Sequence, residues 1–432
     1  MADGDTIVAL SSGALPSGVA VIRLSGPEAE PLLRALAGQL PKPRQLTLTT
    51  LTLHGDALDR GLVAWMPGPQ SFTGEDCAEL QVHGSVAVVR RLLRDLSRHP
   101  GVRLAEAGEF TRRAFINGKL DLTEIEGLGD LLAAETEAQR RQAFARAQGG
   151  LSRQIAEWRE SLLDIRAEIE ARLDFADEGD VSEDISYLDR DLAALQTQLQ
   201  TALRGADAAR TVREGFRVAL AGAPNVGKSS LLNALAGSEV AIVTDEAGTT
   251  RDTKDISLEV GGHLVVFADL AGLRDTESKA EAEGVRRARE VIGKADLVLW
   301  LVAPDQPQGE PPGSDAPIWR VGTKLDLGRF PDCDFQLSAR SGEGVDELLQ
   351  RIKAHLDAQN PSGEPLLVSH ERDVQAMQRA LNLVDEARRN GGTLELAAES
   401  LREATAALER LLGRLDAEMV LDRLFAGFCI GK

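Results

Sequence analysis

The chain has 432 residues, 43% of them hydrophobic and 4% aromatic, with 68 acidic against 49 basic side chains and a formal net charge of −19. That length gives room for two or three domains, each with its own core. So acidic a chain is not one that coats itself with nucleic-acid phosphates, and any RNA has to be met locally or through a more basic partner.

No stretch approaches the roughly 18 uninterrupted apolar residues of a membrane span. The opening Met1-Ala2-Asp3-Gly4-Asp5 has neither the basic nor the apolar segment of a signal peptide. Cys77, Cys333 and Cys429 are odd in number and far apart, which suits a reducing compartment. A cytoplasmic protein with no membrane partner is expected.

Residues 1–118 alternate short strand-like runs with turns: Thr6–Leu10, Val19–Leu24, Leu62–Trp65 and Glu79–Val82, with a helix-like stretch from Val86 to Leu96. This pattern predicts a small α+β domain. From residue 119 to 211 the apolar residues fall at helical spacing, Trp158, Leu162, Ile165, Ile169 and Leu173 in one stripe and Leu192, Leu195, Leu199 and Leu203 in another. An acidic loop over residues 174–180 separates them.

Residues 212–357 alternate strand and helix, as a parallel, doubly wound α/β unit does. Helical periodicity returns after Pro361-Ser362-Gly363-Glu364-Pro365, through Val374, Met377, Ala380, Leu381 and Val384, then Leu401, Ala404, Leu408, Leu411 and Leu412. The whole predicts a multidomain chain: an α+β N-terminal domain, an all-α helical domain made of residues 119–211 plus 358–432, and an α/β domain inserted into it. Arg112-Arg113 and Arg140-Arg141 are either local RNA contacts or ordinary solvated faces.

The chemistry concentrates in Gly222-Ala223-Pro224-Asn225-Val226-Gly227-Lys228-Ser229, a complete phosphate-binding loop. It follows the apolar run Phe216–Ala221 and precedes Ser230-Leu231-Leu232, which reads as a helix start. Backbone N–H groups of such a loop close around phosphate oxygens at a helix N-terminus. Lys228 can reach the β- and γ-phosphates, and Ser229 can offer a hydroxyl to Mg²⁺.

Asp269-Leu270-Ala271-Gly272 ends the run Leu264–Phe267, where Asp269 can hold the magnesium's water shell and the Gly272 amide can meet the γ-phosphate. Thr323-Lys324-Leu325-Asp326 follows Ile318–Val321, and a carboxylate there accepts from both N1–H and N2–H of guanine. Ser338-Ala339-Arg340 ends the next strand and can present a backbone amide to guanine O6.

In this order the strings resemble the translation-factor-related GTPases. Two positions depart from that pattern: Leu270 stands for the usual Thr, and Thr323 for the usual Asn. An Asn amide bonds both guanine and the phosphate loop. A hydroxyl replaces only part of that network, so somewhat looser GTP binding is expected, with specificity kept by Asp326.

Further strings narrow the resemblance. They are Ser71-Phe72-Thr73-Gly74-Glu75-Asp76 with Glu79 and His83-Gly84, Gly108-Glu109-Phe110-Thr111-Arg112-Arg113-Ala114-Phe115, Asn117-Gly118-Lys119-Leu120-Asp121-Leu122, and the ending Phe428-Cys429-Ile430-Gly431-Lys432. With an inserted GTPase unit, the chain resembles the MnmE (TrmE) family of tRNA-modification GTPases over essentially its whole length.

The resemblance implies a homodimer that works with the flavin-dependent protein MnmG on C5 of a tRNA wobble uridine. It also implies an N-terminal folate-binding and dimerisation domain taking 5-formyl- or methylene-tetrahydrofolate through Arg23, Glu79, Lys119 and Lys432. Cys429 would be a nucleophile or acid/base in tRNA modification. The loop Leu10–Gly18 lacks the family's Pro-Pro-Gly-Arg-Gly-Gly pattern, which would alter how this edge meets folate or the second subunit.

For hydrolysis, the position after the Asp-x-x-Gly segment is Leu273, which cannot polarise water. The family solution implied is K⁺, held by the Asn225 side chain and by Thr244 and Glu246 backbone oxygens with Thr249 nearby. Thr250 would complete the Mg²⁺ shell begun by Ser229. The water-activating glutamate falls at Glu281, or two residues on at Glu283, with Arg274 in cis as the lesser alternative. The competing functional reading is a ribosome-assembly-type regulatory GTPase without RNA-modifying chemistry.

Overall fold

The structure is a computed structural model that describes residues 4–174, 186–238, 240–242, 255–269, 290–306, 310–311, 313–360, 363–413 and 431. The chain packs as two units, Met1–Gly129 with Thr405–Lys432, and Asp130–Ala404.

The first unit runs β1 (Thr6–Leu10), β2 (Ser17–Ser25), α1 (Ala29–Ala37), β3 (Thr47–Leu53), β4 (Asp56–Met66), β5 (Cys77–Gly84), α2 (Val86–Leu96), β6 (Val102–Leu104) and α3 (Glu109–Ile116). The strands form one sheet in the order β3-β4-β5-β2-β1-β6, antiparallel except for β1 with β6. Alternation decides its faces. Ala20, Ile22 and Leu24 of β2 and Ala78, Leu80 and Val82 of β5 turn to a core that takes Leu33 from α1 and Val89 and Leu92 from α2. The intervening Arg23, Ser25 and Glu79 belong to the other face, where Ile7, Ala9, Ala105 and Phe110 make a smaller core.

Three of the family-like strings meet on that side as a polar network. Ser25 Oγ lies 2.7 Å from Thr73 Oγ1 and donates to Glu75 Oε2 at 2.6 Å. Arg113 binds Glu75 at 3.0 Å and Asp5 at 2.7 Å, and Asn117 donates to the Thr73 carbonyl.

The second unit begins within α4 (Leu122–Ala133) and continues through α5 (Glu137–Ala147), α6 (Gly150–Asp174), α7 (Ser186–Arg204) and α8 (Ala206–Glu214). The nucleotide fold follows: β7 (Phe216–Gly222), α9 (Lys228–Ala236), β8 (Ile256–Val260), β9 (His263–Asp269), β10 (Leu297–Val302), β11 (Ile318–Gly322), β12 (Phe335–Gln336) and α10 (Val345–Gln359). Then come α11 (Glu371–Arg389) and α12 (Leu394–Leu411), the latter ending in the first unit. The sheet order is β12-β11-β10-β7-β9-β8. Every pairing is parallel except β8 with β9, so the doubly wound expectation holds with one antiparallel edge.

The central strands β7 and β10 are covered on both faces, which is why they read as unbroken apolar runs. Val218, Leu220, Leu299 and Leu301 pack against Leu348 and Ile352 of α10 on one side. Ala219, Ala221 and Val298 pack with Ile292 on the other.

The stripes Trp158–Ile169 on α6 and Leu192–Leu199 on α7 are buried, while Leu173 and Leu203, near the helix ends, are half-buried. α5 starts with a capping box between Thr136 and Gln139. Helices from before and after the nucleotide fold are tied by polar bonds. Gln142 donates to the Ala209 and Leu366 carbonyls, and Arg146 pairs with Asp373 in α11 at 2.7 Å with both side chains wholly buried.

Candidate nucleotide-binding site

β7 lies between β10 and β9, so its C-terminal end delivers the phosphate loop at the middle of the sheet edge, where nucleotide sites of parallel sheets form. Gly222 and Gly227 take φ of +149° and +108°, and Asn225 a left-handed φ of 61°. A Cβ on Gly222 would stand 2.6 Å from the Leu301 carbonyl oxygen, so only glycine lets the loop leave the strand here. Gly227 is the N-cap of α9, which aims the first amides of that helix into the loop. Lys228 is buried, and its Nζ donates to the Gly222 and Ala223 carbonyls at 2.8 and 2.9 Å. The ammonium is thus held over the hollow of its own loop, where phosphate oxygens can take the place of the carbonyls.

The strings at 323–326 and 338–340, expected to meet the base, lie at the same end of the sheet. Thr323 follows β11, is 3% exposed, and its hydroxyl donates to the Val226 carbonyl of the phosphate loop at 2.5 Å, with the Val302 carbonyl at 3.1 Å. Lys324, at φ 56°, turns the chain into a short 3₁₀ helix and binds Asp305 at 2.7 Å. Ser338 is fully buried and its Oγ donates to Asp326 Oδ1 at 2.7 Å, which fixes that carboxylate.

One expectation is refined. The Ser338 N–H donates to the Glu343 carbonyl at 2.9 Å, so of the expected Ser338-Ala339-Arg340 amides that of Ser338 is already engaged within the fold. β12 also ends at Gln336, placing Ser338 in the following loop and not on the strand. Asp305, the partner of Lys324, reads in the sequence as the start of a surface loop and not as a site residue, although it closely follows the apolar run of β10 that marks a strand end.

The strand β9 ends at Asp269 as expected. The side chain of Asp269, and Thr244, Glu246, Thr249, Thr250, Leu270, Gly272, Leu273, Arg274, Glu281, Glu283, Cys429 and Lys432, lie outside the described residues. A cleft of about 270 Å³ in the second unit, lined in part by Arg141, Phe216, His263, Leu356 and Leu366, includes no residue of the phosphate loop or of the 323–340 strings.

In the first unit, Arg23 and Glu79 are cross-strand partners on β2 and β5. Arg23 donates through Nε and Nη2 to the same oxygen, Glu79 Oε1, at 3.0 and 2.8 Å. Its guanidinium lies 5.5 Å from the centre of the Phe72 ring and 5.8 Å from that of Phe110. Lys119 is on the same unit, donating to the Pro69 carbonyl at 3.0 Å.

The loop that departs from the family pattern has a job of its own. Ser11 Oγ donates at 2.8 Å to the carbonyl of Gly431, which is buried. A Cβ on Gly431 would stand 2.2 Å from the Leu10 carbonyl oxygen. Leu10 pairs with Ile22 and Ala9 with Arg23, so Gly431 lies at the end of β1, one register position from the Ala9–Arg23 pair.

Comparison with known proteins agrees with this layout. A family model described as the GTP-binding protein TrmE N-terminus matches residues 6–119, and one described as the MnmE helical domain matches residues 122–429. The chain is 50% identical over 434 residues to the tRNA modification GTPase MnmE of Azorhizobium caulinodans, covering 99% of each. It is 47% identical over 447 residues to the protein of that name from Rhizobium meliloti, covering 100% of each. Against the one from Methylorubrum populi it is 50% identical over 438 residues, covering 99% of this chain and 98% of that one. Matched end to end by its relatives and carrying an intact nucleotide loop, the chain belongs to the MnmE family of tRNA-modification GTPases.

Proposed function

We propose that this chain is the GTP-hydrolysing component of a system that modifies C5 of the tRNA wobble uridine, U34, in the cytoplasm. It acts as a homodimer with a flavin-dependent partner of the MnmG kind and adds a carboxymethylaminomethyl- or aminomethyl-type group built from a tetrahydrofolate one-carbon unit. Its organisation is a folate-binding and dimerisation domain over residues 1–118, a helical domain over 119–211 plus 358–432, and a GTPase domain over 212–357. The observation that carries the GTPase reading is the Ser338–Asp326 bond at 2.7 Å, set beside the Lys228 loop on one sheet edge.

The side chains present suit the groups this reading needs. Ser229 opens α9 beside Lys228, where it would hold Mg²⁺ together with Thr250 and, through water, Asp269. Asn225, in its left-handed turn, would hold K⁺ with Thr244, Glu246 and Thr249. A monovalent cation bound there would neutralise charge that builds between the phosphates. Glu281 is the proposed water-orienting base. In the first unit, the Arg23–Glu79 pair against Phe72 and Phe110 offers rings and charges that suit a pterin and a glutamate tail, with Lys119 and Lys432 as further cations. Cys429 would act on the tRNA base.

The test is the nucleoside content of tRNA from cells lacking this chain, read by mass spectrometry. Loss of C5-aminomethyl-type uridines, restored by the intact chain and not by Lys228→Ala, is the expected result. An unchanged profile would overturn the modification role. Equal GTPase rates in KCl and NaCl would overturn the potassium assignment alone.

A further inference from the structure

Thr323 is the position where the chain departs from the Asn expected of its GTPase pattern, and its surroundings define what the departure does. A threonine hydroxyl has one proton to give. The nearer acceptor is the Val226 carbonyl at 2.5 Å, since the Val302 carbonyl, 3.1 Å from the same oxygen, already accepts the Thr323 backbone N–H at 2.7 Å. The side chain is 3% exposed, so turning that proton elsewhere would take it from carbonyls inside the fold.

Guanine presents N1–H and N2–H to a carboxylate, O6 to an amide donor, and N7, which can only accept. Asp326 is a carboxylate held by Ser338, and the amides of Ala339 and Arg340 are the candidates for O6. The remaining feature, N7, needs a donor. An Asn amide at 323 has two N–H bonds and can serve the phosphate loop and the base together. Thr323 has spent its only proton on the loop.

We propose that this GTPase reads guanine through its Watson–Crick edge and O6 alone, with no readout of N7, because Thr323 acts as an internal tie between the phosphate loop and β10. Thr323 is therefore a specificity-determining residue that conserves the loop's position and gives up one contact to the base. The inference rests on the reading of residues 323–340 as the guanine site.

Equilibrium binding of GDP, 7-deaza-GDP and IDP to the full-length protein tests it. 7-Deaza-GDP lacks the N7 acceptor, and IDP lacks the N2 amine that Asp326 reads. The expected result is 7-deaza-GDP binding within about twofold of GDP, with IDP about tenfold or more weaker, the range for a buried polar group left unpaired. If 7-deaza-GDP is also tenfold weaker, N7 is read and the proposal falls while the guanine site stands. If IDP binds as tightly as GDP, the Asp326 reading falls and takes the proposal with it. In the Thr323→Asn protein, 7-deaza-GDP should become roughly five- to tenfold weaker than GDP. A second donor reaching the base creates that discrimination, which a purely structural role for the residue would not.

Discussion

Replacing Asp373 by alanine tests whether the helices before and after the GTPase fold are one structural body. Arg146 on α5 and Asp373 on α11 are both 0% exposed and 2.7 Å apart, though 227 residues separate them in sequence. Arg146 also donates to the Leu367 carbonyl, so its guanidinium is fixed whether or not the carboxylate is present. Asp373→Ala takes a buried carboxylate from that guanidinium, at a cost of about 3–5 kcal/mol. Against a domain stability of about 5–15 kcal/mol this is a large fraction. At about 2–4 °C per kcal/mol it lowers the midpoint of the second unit by ~6–20 °C.

Arg146→Met combined with Asp373→Leu removes both charges and should recover most of the loss, because desolvation offsets much of a buried pair's attraction. Differential scanning calorimetry of the full-length chain is the assay, since two units need not melt in one transition. A loss under about 1 kcal/mol for Asp373→Ala would refute the reasoning. So would a double variant as unstable as the single, which would mean that packing and not charge holds the helices.

Two further outcomes follow from other side chains. Glu109 is 4% exposed; burial raises its pKa, but hydrogen bonds from Arg103, the Glu106 backbone and Arg113 outweigh burial and leave it below the ordinary 4.5. Asp5 is likewise raised by burial and lowered further by Arg103 and Arg113, ending below 3.8. Folded-state values below the unfolded ones mean that the stabilisation is present above pH 4.5 and is lost as pH falls through the lower, folded values. The melting temperature of the first unit should therefore hold above pH 4.5 and drop below it, and Glu109→Gln should blunt the drop while lowering the neutral-pH value; parallel pH profiles would contradict this. Separately, Ser338→Ala removes the bond that orients Asp326 and should weaken GDP by about 1–2 kcal/mol, roughly five- to thirtyfold, in a direct titration. Unchanged affinity would mean that Asp326 is held by other means.

What the sequence made legible follows from how many physical constraints each segment stacks up. The helix Val86–Leu96 was readable to the residue because one buried face and turn residues at both ends agree, and the strand Thr6–Leu10 because an apolar run buried on both faces is bounded by turn residues. The phosphate loop was readable because glycines, lysine and serine at fixed spacing serve one geometry. β3 was missed: it is an edge strand whose Leu48 is exposed and whose Leu51 alone is fully buried, so its alternation of Thr and Leu carries little apolar signal. The ion pairs Lys324–Asp305 and Arg113–Asp5 were not legible, since the partners lie 19 and 108 residues apart and only the fold brings them together.

Thr323 shows where residue identity stops being informative. As a letter it reads as a weakened Asn and predicts a looser site. In the fold its hydroxyl keeps the bond to the phosphate loop, so the loss falls on the base alone, at one atom. The loop geometry that positions Lys228 is then independent of the base contact, and a looser grip on guanine need not slow hydrolysis of bound GTP. Affinity and turnover should separate in the Thr323→Asn protein, with tighter GDP and an unchanged single-turnover rate. A rate that rose with affinity would place residue 323 in the phosphate chemistry after all.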